Sequence, residues 1–353
     1  MNNLHLALAV LGAVVLAAVV AHGAWTSRKN RPKQAEAGLQ PASPVEPALD
    51  AQADGERREP VLDGLAPAPD EFGSLPAPRR EAELDSLIDV IAPISIDTVV
   101  SGEAALAALP PTRRVGTKPF AVEGLSAETG LWEPPVAGQR YSAFQAGIQL
   151  ANRIGAMNQI EYSEFVTKAR HFADAVGGEP QFPEMLEEVA RARELDQFAG
   201  EHDAQLSFTL RARNAAWSPG YVQQHAARLG FVAGVIPGRM VLPGAVDGQP
   251  PILGLSFDPQ AALADEPDKT ALREITLSLD VPQVDREDKP FERMCEAALS
   301  LATSMEGAIT DDNGNAIRAD TMETIHADLQ KLYNTLQARD LPAGSALCRR
   351  LFS

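Results

Sequence analysis

The sequence predicts an α+β chain in which a single N-terminal transmembrane helix and a disordered Pro-rich linker precede two tandem two-layer domains, each an antiparallel sheet with helices on one face. Three observations carry this. Residues 4–25 form one apolar run, residues 28–82 are dominated by Pro, Ala and acidic side chains, and after residue 83 one order of elements occurs twice. That order is strand, short helix, three strands, long helix, small turn, helix. It implies five segments: an anchor over 1–27, a linker over 28–82, repeats over 83–201 and 202–342, and a tail over 343–353.

In the run LHLALAVLGAVVLAAVVAHGAW no charged or polar side chain falls between Leu6 and Ala21. About 22 residues at 1.5 Å each give roughly 33 Å, enough to cross a hydrocarbon core of about 30 Å. Leu4, Leu6, Leu8, Leu11, Val15 and Val19 would face lipid, and Trp25 stands where an interfacial aromatic belongs. Arg28, Lys29, Arg31 and Lys33 follow the run and no basic residue precedes it, which places the bulk of the chain in the cytoplasm. A cleaved signal peptide carries its positive charge before the apolar core, so the run reads as an anchor.

The linker scatters its apolar residues too thinly for a helix face or a strand, and such a segment does not bury enough surface to offset its ordering entropy. A net charge of -17 argues against nucleic acid or an anionic surface as the main partner, either of which needs a concentrated basic face. Cys295 and Cys348 are the two cysteines; they lie far apart in sequence and match no zinc or disulfide framework.

The first repeat opens with the strand LIDVIAPISI. Ser101 then caps a short helix that Pro110-Pro111 ends. RRVGTKPFAVEGL and GLWEPP read as strands, and YSAFQAGIQL places Phe144, Ala146, Ile148 and Leu150 on one face and Tyr141, Ala143 and Gln145 on the other. A helix with Phe165, Ala169, Phe172 and Val176 at helical spacing ends at Gly177-Gly178, and a second follows Pro183 with Leu186, Val189 and Leu195.

The second repeat opens with AQLSFTLRA, whose Leu206, Phe208 and Leu210 share a face. Ser218-Pro219 starts a helix by capping with Pro at the first position. Strands follow at GFVAGVIP with RMVLPG, at PILGLSF and at REITLSLDV. A helix over 291–305 carries the stripe Phe291, Met294, Cys295, Ala298, Leu301, Ala302 and Met305; Asn313-Gly314 marks a hairpin turn, and a last helix over 319–336 buries Met322, Ile325, Leu329, Leu332 and Leu336.

Enzyme signatures are wanting. The sequence has no GxxxxGK loop, no GxGxxG after a strand and no GxSxG elbow. No metal or other cofactor motif appears, because His171, His202, His225 and His326 are isolated. The acidic turn from Asp311 has Ala316 where a calcium loop needs Gly and Met322 where it needs a bidentate Glu. Cys295 sits on an apolar stripe and reads as a structural thiol. Nothing points to a small-molecule substrate.

FERMCEAALSLATSMEGAITDD, with its apolar helix, small-residue turn and acidic pair, and the amphipathic helix after it resemble the ZipA family's C-terminal FtsZ-binding domain over about residues 204–336. ADAVGGE resembles the same helix ending in the first repeat, which would then be a degenerate second copy. The resemblance implies a non-enzymatic cell division protein of the bacterial inner membrane, with its N-terminus periplasmic, tethering FtsZ polymers by their C-terminal tail peptide on an open sheet face. By strand position that face would carry Gln205 and Ser207, Ile236 and Gly238, Ser256 and Asp258, Thr276 and Ser278. The family places large apolar side chains there, and this chain offers only Ile236. The alternative is an anchored adaptor of the same fold with another division or envelope partner.

Overall fold

The computed structural model describes Lys33–Gln34 and residues 84–244, 248–311 and 314–353. The expected membrane span over 4–25, with Leu4, Leu6, Leu8, Leu11, Val15, Val19 and Trp25, lies outside the described residues, as does most of the linker. Among the described residues no helix is long and apolar enough to cross a membrane. The chain divides into two compact units, one containing residues 84–150 and Met157–Ala192, the other Ala151–Ala156 and Arg193–Ser353 together with Lys33–Gln34.

In the first unit the main elements are β1 Asp89–Ile96, α1 Gly102–Ala108, β2 Lys118–Ser126, β3 Arg140–Gln149, α2 Gln159–Val176 and β4 Gly178–Pro180. The four strands pair antiparallel in the order β2-β3-β1-β4, and two-residue strands complete a seven-stranded sheet. RRVGTKPFAVEGL is broken in two because Gly116 turns the chain at φ +54°. The inner face packs aromatic on aromatic against α2, with Phe144 and Phe172 at 5.2 Å and Phe120 and Phe165 at 6.2 Å between ring centres. Asn158 and Glu161 form a capping box at the start of α2, and Gly177 ends it in the left-handed conformation. Helix α3, Met185–His202, runs from this unit into the next.

Tyr141 departs from the expected alternation. The register slips between Leu125 and Ser126, so that Leu125 faces Ala143 but Ser126 faces Tyr141. This turns the ring inward, where it is fully buried, 5.6 Å from the Phe144 ring and against Gly124. Its hydroxyl accepts from the Val136 N–H at 2.8 Å.

The second unit contains β5 Gln205–Ala212, α4 Pro219–Ala227, β6 Val232–Ala233, β7 Arg239–Leu242, β8 Leu253–Ser256, α5 Pro259–Ala262, β9 Glu274–Asp280, α6 Pro290–Met305, β10 Gly307–Thr310, α7 Ala319–Ala338 and α8 Ala346–Leu351. Its antiparallel sheet runs β6-β7-β8-β9-β5-β10. Phe208, Leu210, Ile275, Leu277, Leu279, Leu253, Leu255 and Met240 point inward and are buried; Phe208 meets Phe291 of α6 at 6.2 Å. Trp217 is fully buried and donates through Nε1 to the Met305 carbonyl at 2.9 Å. The tail packs back as α8, with Cys348, Leu351 and Phe352 buried.

Both sheets share one wiring. The opening strand (β1 or β5) lies between the last strand before the long helix (β3 or β9) and the short strand after it (β4 or β10). Each long helix also ends in a left-handed residue, Gly177 at φ 68° and Glu306 at φ 57°.

Two local clamps complete the second unit. Arg153 bonds Asp203 and Asp280 through paired contacts of 2.6 to 2.9 Å, and the hydrogen bond to Asp280, followed by that to Asp203, pushes its pKa upward. Lys33, within the stretch expected to be linker, pairs as a parallel bridge with Trp217: its N–H donates to the Ala216 carbonyl at 2.7 Å and its carbonyl accepts from the Ser218 N–H at 2.9 Å. Its Nζ lies 3.1 Å from Glu306.

Candidate partner-binding sheet face

Strand alternation sends every second residue of the second sheet away from α6. Register aligns these outward residues in two cross-strand rows. One row is Val232, Val241, Gly254, Ser278 and Ser207; the next is Arg239, Ser256, Thr276, Thr209 and Thr310. Gln205 extends the face opposite Asp280. The sequence-predicted residues Gln205, Ser207, Ser256, Thr276 and Ser278 are thus brought together on one surface.

Ile236, Gly238 and Asp258 are not part of it. Ile236 and Gly238 lie in the turn between β6 and β7, closed by the Arg239 N–H donating to the Ile236 carbonyl at 3.1 Å. Pro237 lacks the N–H a ladder requires, and Gly238 adopts φ +75° with its missing Cβ aimed 2.7 Å from the Phe257 carbonyl oxygen, so the stretch expected to be one strand becomes a two-residue strand and a tight turn. Asp258 caps α5, accepting the Gln260 N–H at 2.9 Å.

Sequence reasoning missed Val232, Val241, Gly254 and Arg239, and also Thr209 and Thr310, which continue the second row but are buried. Continuing the period-2 pattern one step past Ser207 would have found Thr209. Finding Gly254 and Val241 required the pairing register. Gly254 is the low point of its row: a Cβ there would stand 2.6 Å from Ser278 Oγ. The apolar part of the surface is displaced to the sheet edge, where Val232, Val235 and Ile236 are exposed.

The centre of this surface is made of hydroxyls, a glycine and an amide, with Val232, Val241 and Arg239 toward the β6–β7 edge. A separate cleft of about 380 Å³, lined by His202, Asp203, Leu206, Ile325, Leu329 and Leu332, opens on the helical side. Cys295 is half-buried, and burial, with Glu292 and Glu296 adding to it, pushes its thiol up to about 11, so it holds its proton at neutral pH. Asp311 accepts the Asn315 N–H at 2.8 Å and so serves its own turn. Among the described residues no group of three or more His, Cys, Asp or Glu is placed to hold a metal ion.

Residues 262–328 match the family model described as ZipA, C-terminal FtsZ-binding domain. This stretch is ZipA-like. The match runs from the end of α5 through β9, α6 and β10 into α7, well under half of the chain, and includes Thr276 and Ser278 of the outward face. The ZipA C-terminal domain is a protein-binding cell division module, not an enzyme family. No curated protein matches the sequence. Among solved structures, berberine bridge enzyme from Eschscholzia californica aligns at 9% identity and a TM-score of 0.15, over 74% of this chain and 51% of that one. The chain thus spans about half the length of that enzyme, and a likeness at that score carries no argument about fold or function.

Proposed function

We propose that this chain is a cell division protein that tethers FtsZ polymers to the cytoplasmic membrane, binding the FtsZ C-terminal tail on the outward face of its ZipA-like domain. The match of residues 262–328 to the ZipA FtsZ-binding family carries the reading. The outward rows around Gly254 and Ser278 supply a flat face on which an extended peptide lies by side-chain burial and polar contact. The apolar run over 4–25 serves as the anchor, and the basic residues after it orient the domains to the cytoplasm of a bacterial cell. The first unit, wired like the second, is a degenerate copy of the same domain.

Burial of one Met or Phe side chain contributes roughly 1.5–3 kcal/mol, so a face of hydroxyls binds a given tail more weakly than a face of large apolar groups. Sites that recur along a polymer held near a surface recover firm attachment through avidity. The test is co-sedimentation of FtsZ with vesicles that carry the full chain. FtsZ with its tail is expected to be recovered and tailless FtsZ to remain free. Equal recovery of both removes tail binding.

The polarity of the face also favours a second reading, an anchored adaptor of the same fold whose partner is another division or envelope protein. Proximity labelling in dividing cells that marks such a partner and leaves FtsZ unmarked would select it.

A further inference from the structure

The two sheets have a common register, and it exposes a difference in what lies on their outer faces. Gly178 and Gly307 each stand two residues past the end of the long helix and open β4 and β10. They pair with Ile96 and Ala212. Counting back from these, Ile91 of the first sheet corresponds to Ser207 of the second. Ile91 faces Gly147, which faces Ala121, as Ser207 faces Ser278, which faces Gly254. The outward row Ile91, Gly147, Ala121 is therefore the first unit's version of the candidate binding row.

The centre of that row, Gly147, is already occupied. Leu84 lies over it, and a Cβ built on Gly147 would run into Leu84 Cδ2 and stand 2.9 Å from Cδ1. The Leu84 N–H donates at 2.9 Å to Oε1 of Glu123, which belongs to the neighbouring row, and Oε2 of the same carboxylate accepts from Gln145 Nε2 at 2.8 Å. Glu123 is buried on what would otherwise be an open face. The arrangement has the two parts of peptide recognition on a sheet: an apolar side chain seated where the sheet has no side chain, and a backbone N–H held by a fixed acceptor.

We propose that the first unit is a peptide-binding sheet face filled in cis by the chain's own segment at Leu84, which leaves partner capture to the second unit. Leu84 over Gly147 also marks the ligand class, a peptide with an aliphatic side chain. By register, such a side chain meets Gly254 and Ser278 in the second unit; this last step rests on the function proposed above.

The test uses the full chain and a labelled synthetic peptide of residues 79–86, RREAELDS, followed by fluorescence anisotropy. Leu84→Gly empties the position, and Leu84→Asp sets a carboxylate against Glu123. Circular dichroism checks that both variants fold. Either variant is expected to bind the peptide at least tenfold more tightly than the unaltered chain, and adding Gly147→Val to either is expected to abolish that binding by filling the seat. Equal binding by the unaltered chain, no binding by both variants, or persistence with Gly147→Val overturns the proposal. A parallel titration with FtsZ tail peptide separates the two readings. Loss of tail binding in Ser278→Trp places the partner on the second face, whereas a tail that never binds the unaltered chain sinks the partner reading and leaves the result for RREAELDS standing.

Discussion

In the first sheet Gly147, at the centre of the outward row Ile91, Gly147 and Ala121, lies under Leu84, whereas in the second the row at the same register, Ser207, Ser278 and Gly254, presents small residues to the outside. The inner faces differ less in kind. Each buries alternate apolar residues against one long helix, through Phe144 and Phe172 in one case and Phe208 and Phe291 in the other. Burial on the inside constrains every position there, because each lost methylene opens a cavity in a close-packed core. The outside is constrained only by what it binds. Two sheets of one wiring therefore keep alike cores and differ on their faces, which on the proposals above serve an internal occupant in one and an external partner in the other.

The sharpest way to probe this contrast is to break each core separately. Phe172→Ala and Trp217→Ala each remove a fully buried aromatic side chain, and each is expected to cost about 3–5 kcal/mol. Trp217 also leaves the Met305 carbonyl without its indole donor. Amide hydrogen exchange is expected to accelerate in β1 to β4 for the first variant and in β5 to β10 for the second. Exchange that accelerates equally throughout both would show that the cores are not separate units of stability.

A smaller loss should follow from Arg153→Ala, which strands Asp203 and Asp280 without their shared guanidinium. The pair is partly solvated, with a quarter to a third of each side chain exposed, so about 2 kcal/mol is expected rather than the cost of a fully buried pair. Urea denaturation checks it. Lysine at the same position should restore only part of the loss, since it lacks the planar fork that engages both carboxylates.

Ser207→Ile places on the second face the residue that the first face has at the same register. It adds apolar surface beside Gly254 and Ser278, and affinity for FtsZ tail peptide is expected to rise about tenfold, or about 1.4 kcal/mol, by calorimetry. An unchanged affinity would mean that the peptide lies elsewhere on the domain.

Much of this architecture was legible in the sequence because alternation and helical spacing report burial directly. Phe144, Ala146 and Ile148 in β3, Phe208 and Leu210 in β5, and Phe291, Met294, Ala298, Leu301 and Met305 of the α6 stripe are buried as their spacing requires, while Cys295 and Ala302 at its margin are half-buried. Five of the eight face residues followed from the same rule. The failures share a cause, which is that they depend on local breaks in the period. Gly238 and Pro237 convert a strand into a turn, Asp258 leaves the ladder to cap a helix, and the slip at Leu125 rotates Tyr141 into the core. Leu84 was invisible for a different reason. Its partner is a glycine more than sixty residues away, and a missing side chain leaves no mark in a hydrophobic pattern.

The smallest expected effect concerns Lys33, the residue nearest the apolar run that the structure places. Its backbone pairs with Ala216 and Ser218, and its Nζ meets Glu306 at 3.1 Å and the Tyr221 ring at 5.9 Å. The hydrogen bond and charge of Lys33, with Asn214 helping, hold the Glu306 carboxyl below its ordinary 4.5. A folded-state pKa below the unfolded one means that the contact contributes fully above about pH 4.5 and is lost as pH falls through the lowered value. Lys33→Met keeps the backbone bridge and the apolar stem but removes the charge, so the Glu306 titration followed by NMR is expected to move back up toward 4.5 while the Ser218 amide, which donates to the carbonyl of residue 33, keeps its protection. If Glu306 titrates unchanged in Lys33→Met, the side-chain contact is not what lowers it. If the protection also vanishes, the ion pair and not the backbone bridge fastens this segment to the ZipA-like domain, and at low pH that domain would then be released onto the full length of the linker.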